Sequence, residues 1–411
     1  MLSPVWTLTR LPDWAQRHFY LEIFDVIEGA GGEVRFVGGC VRDELLRRPV
    51  KDIDMATTLT PDEVTEAFKE SAIKVKPTGI EHGTVTLVHK GMSCEITTLR
   101  RDVVTDGRRA VVAFTTKWEE DAQRRDFTIN TLLMDRQGQI YDPTGEGLND
   151  IKRRAVVFVG DADTRIQEDI LRMYRYIRFS MMVEQKIEQN LIALFQKNSA
   201  AIAQLSSERV TDEFSKILEY KNAPSYLENM QKAGLIEFSK NVKDVSKILK
   251  EYINISIRYE LYNKLTVFAL LAMSLGRKNP FSFSFSKKET VFIEKIETLL
   301  SDLNIQENFS QHFLKERAYY DGKAITLQAL LVHFADHKTD RFDEAALTLL
   351  DKWHVPSFPL SGQDLIAQGM KEGAKLGEVL RATESWWVEK NFSPGKEACL
   401  AHALKADLSP I

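Results

Sequence analysis

Hydrophobic and polar positions follow two different periods along this chain. Up to Gly160 the apolar residues come in short runs bounded by glycines, at Val34 to Val37, Ile73 to Pro77, Thr84 to His89 and Ser93 to Leu99. Runs of that length with alternation read as strands. Thirteen of the 21 glycines precede Asp161. Beyond it the apolar positions recur three and four apart, the spacing of one face of a helix. That pattern predicts helices at 210–220, 257–275, 287–303 and 326–335, among roughly ten from Glu184 onward. Trp14, Phe19, Leu21, Ile23, Phe24 and Ile27 predict a further helix within residues 1–33, and Thr60-Pro61-Asp62 is a helix-start signal. Residues 163–179 read as one helix, with Ile166, Ile170, Leu171, Tyr174 and Ile177 on its apolar side. The fold class expected is α+β: a small mixed-sheet head followed by an all-α remainder.

Candidate chemistry enters first at residues 35–57. The run ending at Val37 turns on Gly38-Gly39 into a helix-compatible segment, which frees backbone N–H groups to face phosphate, and Arg42 adds a positive charge. Asp52 and Asp54 follow, with Ile53 and Met55 between and after them, so strand alternation puts both carboxylates on one face. Two like charges held that close call for a cation, and hard oxygen ligands beside a triphosphate imply Mg2+. Taken singly, the glycine pair reads as a tight turn and the Asp pair as a solvated strand edge; their succession favours a nucleotide site. If the strand at 93–99 lies beside the Asp pair, Glu95 becomes a third carboxylate. Otherwise it is a solvent-facing residue on an antiparallel sheet.

Four further strings carry polar groups in suggestive order. Asp106-Gly107-Arg108-Arg109 reads as a solvated hairpin tip or as a loop that reorganises over a nucleotide. Arg124-Arg125-Asp126, leading into an apolar strand that contains Asn130, suits phosphate and ribose, or else a plain ion-paired helix end. Asp142, Gly145 and Gly147 form a hinge-like turn. Glu168, Asp169 and Arg172 fall on neighbouring positions of one helical surface, which an intrahelical ion pair explains as well. Their hydrogen-bond pattern suggests more. A carboxylate accepts from an exocyclic amine and a guanidinium donates to a ring acceptor, which suits cytosine and adenine and disfavours uracil and guanine.

Composition narrows the classes. The chain has 411 residues, 44% hydrophobic and 28% charged, with a net charge of −4. Length allows two to four domains. No apolar run approaches the ~18–20 residues of a membrane span, and Leu265 to Leu275 reads as a buried helix. No secretory signal pattern is visible at the start, and Cys40, Cys94 and Cys399 form no CxxC, which fits a cytoplasmic location. The net charge argues against indiscriminate nucleic-acid binding, although arginine pairs cluster in the first half. His333 to His337 invites thought of a metal phosphohydrolase, but the His-Asp dipeptide such sites need is absent.

With these strings in place the chain resembles the bacterial class II tRNA nucleotidyltransferases, the CCA-adding enzymes of the polymerase-β superfamily. Gly38, Gly39, Arg42 and Asp43 with Asp52 and Asp54 are similar to that family's catalytic motif, and Arg124-Arg125-Asp126 to its ribose motif. Glu168, Asp169, Arg172 and the nearby Arg175 resemble its amino-acid template for CTP and ATP. Asp142 to Asp150 resembles its hinge, with Glu146 interrupting the usual adjacent glycines. Ser207-Glu208-Arg209-Val210 with Glu213 resembles a neck element, and Ser361-Gly362 with Asp364-Leu365 its tail. The resemblance implies a hook of head (1–150), neck (151–225), body (226–350) and tail (351–411), the last two holding tRNA. It implies template-independent addition of C, C and A, catalysed at Asp52, Asp54 and Glu95, with Asp52 and Asp54 holding Mg2+. Partners implied are the tRNA 3′ end, CTP and ATP, with no membrane and no obligate protein partner. Rival readings are a poly(A) polymerase and an enzyme adding only CC or only A. The string Thr78 to Thr86 is similar to the CCA-adding pattern, and CC-only relatives typically lack a loop such as 102–116.

Overall fold

The computed structural model describes residues 2–106, 109–276, 279–305, 310–337 and 344–407. Two compact units divide the chain, one of Met1–Ser239 with Gly276–Ser284, the other of Lys240–Leu275 with Phe285–Ile411.

All strands among the described residues fall in the first unit. They are β1 (Trp6–Thr7), β2 (Val34–Val37), β3 (Asp54–Thr57), β4 (Lys74–Gly79), β5 (Thr84–His89), β6 (Met92–Thr98), β7 (Arg100–Asp106), β8 (Arg109–Phe114), β9 (Leu133–Met134) and β10 (Gln139–Tyr141). Eight of them form one sheet in the order β1-β10-β9-β2-β3-β6-β5-β4, while β7 and β8 pair only with each other. Within the large sheet β3 and β6 run parallel and the other pairs antiparallel. The helices of this unit begin with α1 (His18–Gly29), α2 (Gly39–Leu45), α3 (Pro61–Ala67) and α4 (Trp118–Gln123).

β2 is buried along its whole length, which is why it reads as an apolar run rather than an alternating one. Phe36 points to α1 and the turn before it, where it meets the rings of Trp14, Tyr20 and Phe24 at 5.0, 5.8 and 5.2 Å. Val37 belongs to the cluster on the other face, with Ala56, Leu99, Trp118 and Leu133. Arg35 is clamped between the rings of Trp118 and Tyr141, 4.4 and 4.0 Å away. The sheet thus has α1 on one side and α4 on the other.

The unit continues through α5 (Gly147–Arg153), α6 (Ala162–Glu168), α7 (Arg172–Val183), α8 (Gln189–Asn198), α9 (Ser207–Ile217) and α10 (Leu227–Lys232). Two expectations need correction here. The stretch 163–179 is not one helix: α6 ends at Glu168, Asp169 is extended at φ −152°, and α7 starts at Arg172. The run after Asp126 is not a strand either. Phe127 makes one bridge to Phe158, and Thr128–Asn130 is a 3-10 turn. Aromatic packing consumes this segment, with Phe127 against Phe158 and Phe179 and with Phe158 stacked on Tyr176 at 5.5 Å.

The second unit is helical: α11 (Val242–Arg258), α12 (Lys264–Ser274), α13 (Lys287–Ile305), α14 (Gln311–Arg317), α15 (Lys323–His337), α16 (Glu344–Lys352), α17 (Gly362–Ala367), α18 (Ala374–Glu389) and α19 (Lys396–Asp407). The helix expected over 257–275 is instead the end of α11 and all of α12, separated by a turn. Asn263 starts α12, its side chain accepting from the Leu265 N–H. A buried polar knot ties α11, α12 and α15: Tyr252 and Thr266 hydroxyls donate to Gln328 Oε1, and Gln328 Nε2 donates to the Leu261 carbonyl. Ser361 and Asp364 form a capping box that starts α17. Among the described residues no helix is long and apolar enough to cross a membrane.

Candidate active site

Asp54 opens β3 and sits in register with Val37 of β2 on one side and Glu95 of β6 on the other. The parallel pairing therefore places the Glu95 position directly alongside Asp54. Asp52 precedes the strand and is exposed, as are Asp54 and Glu95, while Met55 is fully buried. Exposure alternates from Asp52 to Met55, but the strand begins only at Asp54, so Asp52 lies in the irregular segment before it rather than on a strand face as the sequence suggested. Asp54's carboxyl is raised above its usual range by desolvation and then by the charges of Glu95 and Asp52, against the opposing pull of Arg125. Among the described residues, no three His, Cys, Asp or Glu side chains form a ready-made metal cage. An open pair of carboxylates whose mutual repulsion Arg125 only partly offsets nevertheless fits a divalent metal ion, of the kind bound by one or two carboxylates plus substrate phosphates.

Buried thiols back this edge. Cys94 Sγ donates to the Ile53 carbonyl at 3.3 Å and Cys40 Sγ to the Val37 carbonyl at 3.3 Å. Burial pushes the Cys40 thiol up to about 12 and Cys94 upward as well, so neither is a nucleophile near neutrality.

Gly38 caps α2 at φ +68°, a conformation that favours glycine, and a Cβ there would lie 3.2 Å from the Arg125 NH1. Gly39 begins α2, four residues before Asp43. Arg42, 9% exposed, donates to both Asp43 oxygens at 2.8 and 2.9 Å and to Asn130 Oδ1 at 2.8 Å. Its charge is thus already matched by Asp43 rather than left free.

The Arg124-Arg125-Asp126 string divides between its two readings. Both arginines pair with the buried Asp121 at the end of α4, so they do form an ion-paired helix end. Burial alone would raise Asp121; the guanidiniums of Arg125 and Arg124 hold it below its ordinary value. Asp126 turns the other way. Arg175 of α7 donates to its Oδ2, while Asn130 Nδ2 and the Phe127 N–H donate to Oδ1. Against its burial, these partners keep the carboxyl low. Asn130 is the node: it accepts from Arg42, donates to Asp126, and offers its carbonyl to Arg125 at 3.2 Å.

Base-reading candidates sit at the break between α6 and α7. Arg172 NH1 donates to Glu168 Oε2 at 2.5 Å and to the Arg165 carbonyl at 2.8 Å. Its NH2 reaches the Arg124 carbonyl at 3.4 Å, tying the break to the Arg124-Arg125-Asp126 string. Asp169 is not the partner of Arg172; Arg209 of α9 holds both its oxygens, at 3.1 and 2.9 Å. The continuous helical surface expected for these three residues is replaced by a turn across which Glu168 still pairs with Arg172, while Asp169 is anchored separately by Arg209.

Other candidates are placed elsewhere. Asp106 and Arg109 are opposite one another in the backbone register at the end of the β7–β8 ribbon, and Gly107 and Arg108 lie outside the described residues. Asp142 is buried and knots its own turn, accepting from Thr144 Oγ1, the Gly145 N–H and the Leu148 N–H. Gly145 is at φ +76°, and a Cβ on Gly147 would lie 2.6 Å from the Thr128 carbonyl. Two participants escaped the sequence reading. Asp121 was legible as an i, i+4 partner of Arg125, whereas nothing local ties Arg209 to Asp169, forty positions apart.

Comparison with known proteins extends this geometry. Residues 34–157 match the family described as Poly A polymerase head domain, and residues 186–241 the one described as probable RNA and SrmB-binding site of polymerase A. The chain is 32% identical over 392 residues to the CCA-adding enzyme of Streptococcus sanguinis, covering 93% of this chain and 96% of that one. It is 31% identical over 381 residues to the mitochondrial CCA tRNA nucleotidyltransferase 1 of Danio rerio, covering 90% and 86%. The crystal structure of the Bacillus stearothermophilus CCA-adding enzyme in complex with CTP superposes with a TM-score of 0.77 at 29% identity, over 95% of this chain and 97% of that one. Similarity at that level along nearly the whole length means that the chain belongs to the CCA-adding tRNA nucleotidyltransferase family.

Proposed function

We propose that this protein adds C, C and A to the 3′ end of tRNA, drawing on CTP and ATP and releasing pyrophosphate at each step. The observation that carries the chemistry is the register of Asp54 with Glu95 beside the Gly38 turn. The substrate follows from the family, whose named members include CCA-adding enzymes from bacteria and the mitochondrial enzyme of a fish. Head, neck, body and tail along 1–150, 151–225, 226–350 and 351–411 would divide the work, with tRNA held by the helical parts.

In each cycle the tRNA 3′-hydroxyl oxygen attacks the α-phosphorus of the nucleotide. The bond to the β-phosphate oxygen breaks, and pyrophosphate leaves. Asp52 and Asp54, with Glu95 beside them, would hold Mg2+, which supplies charge neutralisation at the triphosphate and acidifies the attacking hydroxyl. Gly38 and Gly39 let the backbone approach the phosphates, and Arg124 and Arg125 offer positive charge from the end of α4. Arg42, Asn130, Asp126 and Arg175 hold one another, so their part is to keep the phosphate and ribose sides of the site in fixed relation. Arg172 has five N–H donors, not all of them committed to Glu168 and the backbone. It can therefore donate to the ring acceptors of cytosine or adenine while Asp169 accepts from the exocyclic amine. Uracil has no such amine, and guanine presents the opposite pattern. Three unpaired, buried cysteines suit the reducing cytoplasm.

A test compares the wild-type chain with Asp52→Ala/Asp54→Ala on tRNA lacking its last three nucleotides. Pyrophosphate release should reach three per tRNA for the wild type and vanish in the variant, with tRNA affinity unchanged. Transfer surviving in the variant would overturn the assignment of these carboxylates.

A further inference from the structure

Four helices of the second unit, α11, α12, α13 and α15, wall a cavity of about 360 Å3. Its floor is apolar and buried, formed by Val245, Leu249, Leu270, Leu300 and Val332, with the His333 ring, 4% exposed, among them. Its mouth is polar and exposed, formed by Lys240, Glu297, Ser301 and Asp336. Protein interiors are packed like organic crystals and leave few voids larger than a water. This space equals the liquid volume of about a dozen waters, at ~30 Å3 each, and falls in the range of small-molecule sites, ~300–1,000 Å3.

Charge at the mouth selects the ligand. Two carboxylates, on α13 and α15, face one ammonium, that of Lys240, so the opening is negative overall. An apolar molecule with a positive end matches floor and mouth together; a fatty acid or other apolar anion would meet Glu297 and Asp336.

We propose that this cavity binds a small amphipathic amine, its apolar body on the Val245–Leu270–Val332 floor and its protonated amine accepted by Glu297 and Asp336. The site uses none of the residues assigned to nucleotidyl transfer, and its test is a binding measurement independent of that reaction.

The test uses the full chain and three probes that share one apolar body: 4-phenylbutylamine, 4-phenylbutanol and 4-phenylbutyrate, each titrated calorimetrically. The amine should bind saturably at one per chain and at least about tenfold more tightly than the other two, the difference one charge-assisted hydrogen bond makes. Glu297→Gln with Asp336→Asn, at exposed positions that folding tolerates, should bring the amine down to the level of the alcohol and leave the alcohol unchanged. Ser301→Phe should obstruct all three probes. No saturable binding of the amine, butyrate binding as tightly, or amine affinity unchanged in the double variant would each overturn the proposal.

Discussion

Asp126 concentrates the electrostatics of the first unit in one carboxylate. Buried to 9% exposure, it is matched by Arg175, Asn130 and a backbone N–H. Removing one member of such a pair strands the other, and Asp126→Ala should cost about 3–5 kcal/mol of stability in urea unfolding. Because its carboxyl is depressed in the folded state, its contribution is complete above the ordinary carboxylate range and is lost as pH falls through the lowered value. Acid titration of stability should therefore be flatter in Asp126→Asn than in the wild type, and an identical profile would contradict the pairing. Arg172→Ala speaks to selection. Its loss should relax discrimination against UTP and GTP by about 10–100-fold, as expected for one bidentate reading contact worth ~1–3 kcal/mol. Primer extension with each NTP alone measures it, and unchanged discrimination would mean the base is read elsewhere.

At the scale of elements, the α5 entry is a close approach that tolerates no side chain. A Cβ on Gly147 would meet a backbone oxygen rather than a flexible side chain, so Gly147→Ala should destabilise the first unit by about 1–3 kcal/mol in thermal melts. Melting unchanged from wild type would contradict that packing. Elements also show where sequence pattern was informative and where it failed. The strands at 84–89 and 93–99 were legible because alternation and glycine boundaries are local signals. The pairing of Glu95 with Asp54 was legible only as a condition, since register between distant strands leaves no local mark. The α6–α7 break was not legible at all. Residues 163–179 contain no glycine or proline, and the break is held by Arg172 against Arg124 and by Asp169 against Arg209, contacts 48 and 40 positions apart in sequence. The turn before α12 did carry a signal, Asn263 ahead of an apolar run, which the continuous helical spacing outweighed.

For the whole molecule, a net charge of −4 means that tRNA must be held by local groups of lysines and arginines rather than by overall attraction. The logarithm of the affinity for tRNA should then fall linearly with the logarithm of salt concentration, whereas a salt-independent affinity would remove phosphate contacts from the account. The family relation spans nearly the full chain, the helical unit as well as the sheet-bearing one. The most direct measurement offers the purified protein tRNA transcripts ending at the discriminator base, after one C and after two. CTP, ATP, GTP and UTP are supplied singly and together, and products are resolved at single-nucleotide length. Growth by C, C and A and then a stop, with no incorporation of G or U, is the result this account predicts. Long A tails, or extension confined to CC or to the final A, would contradict it.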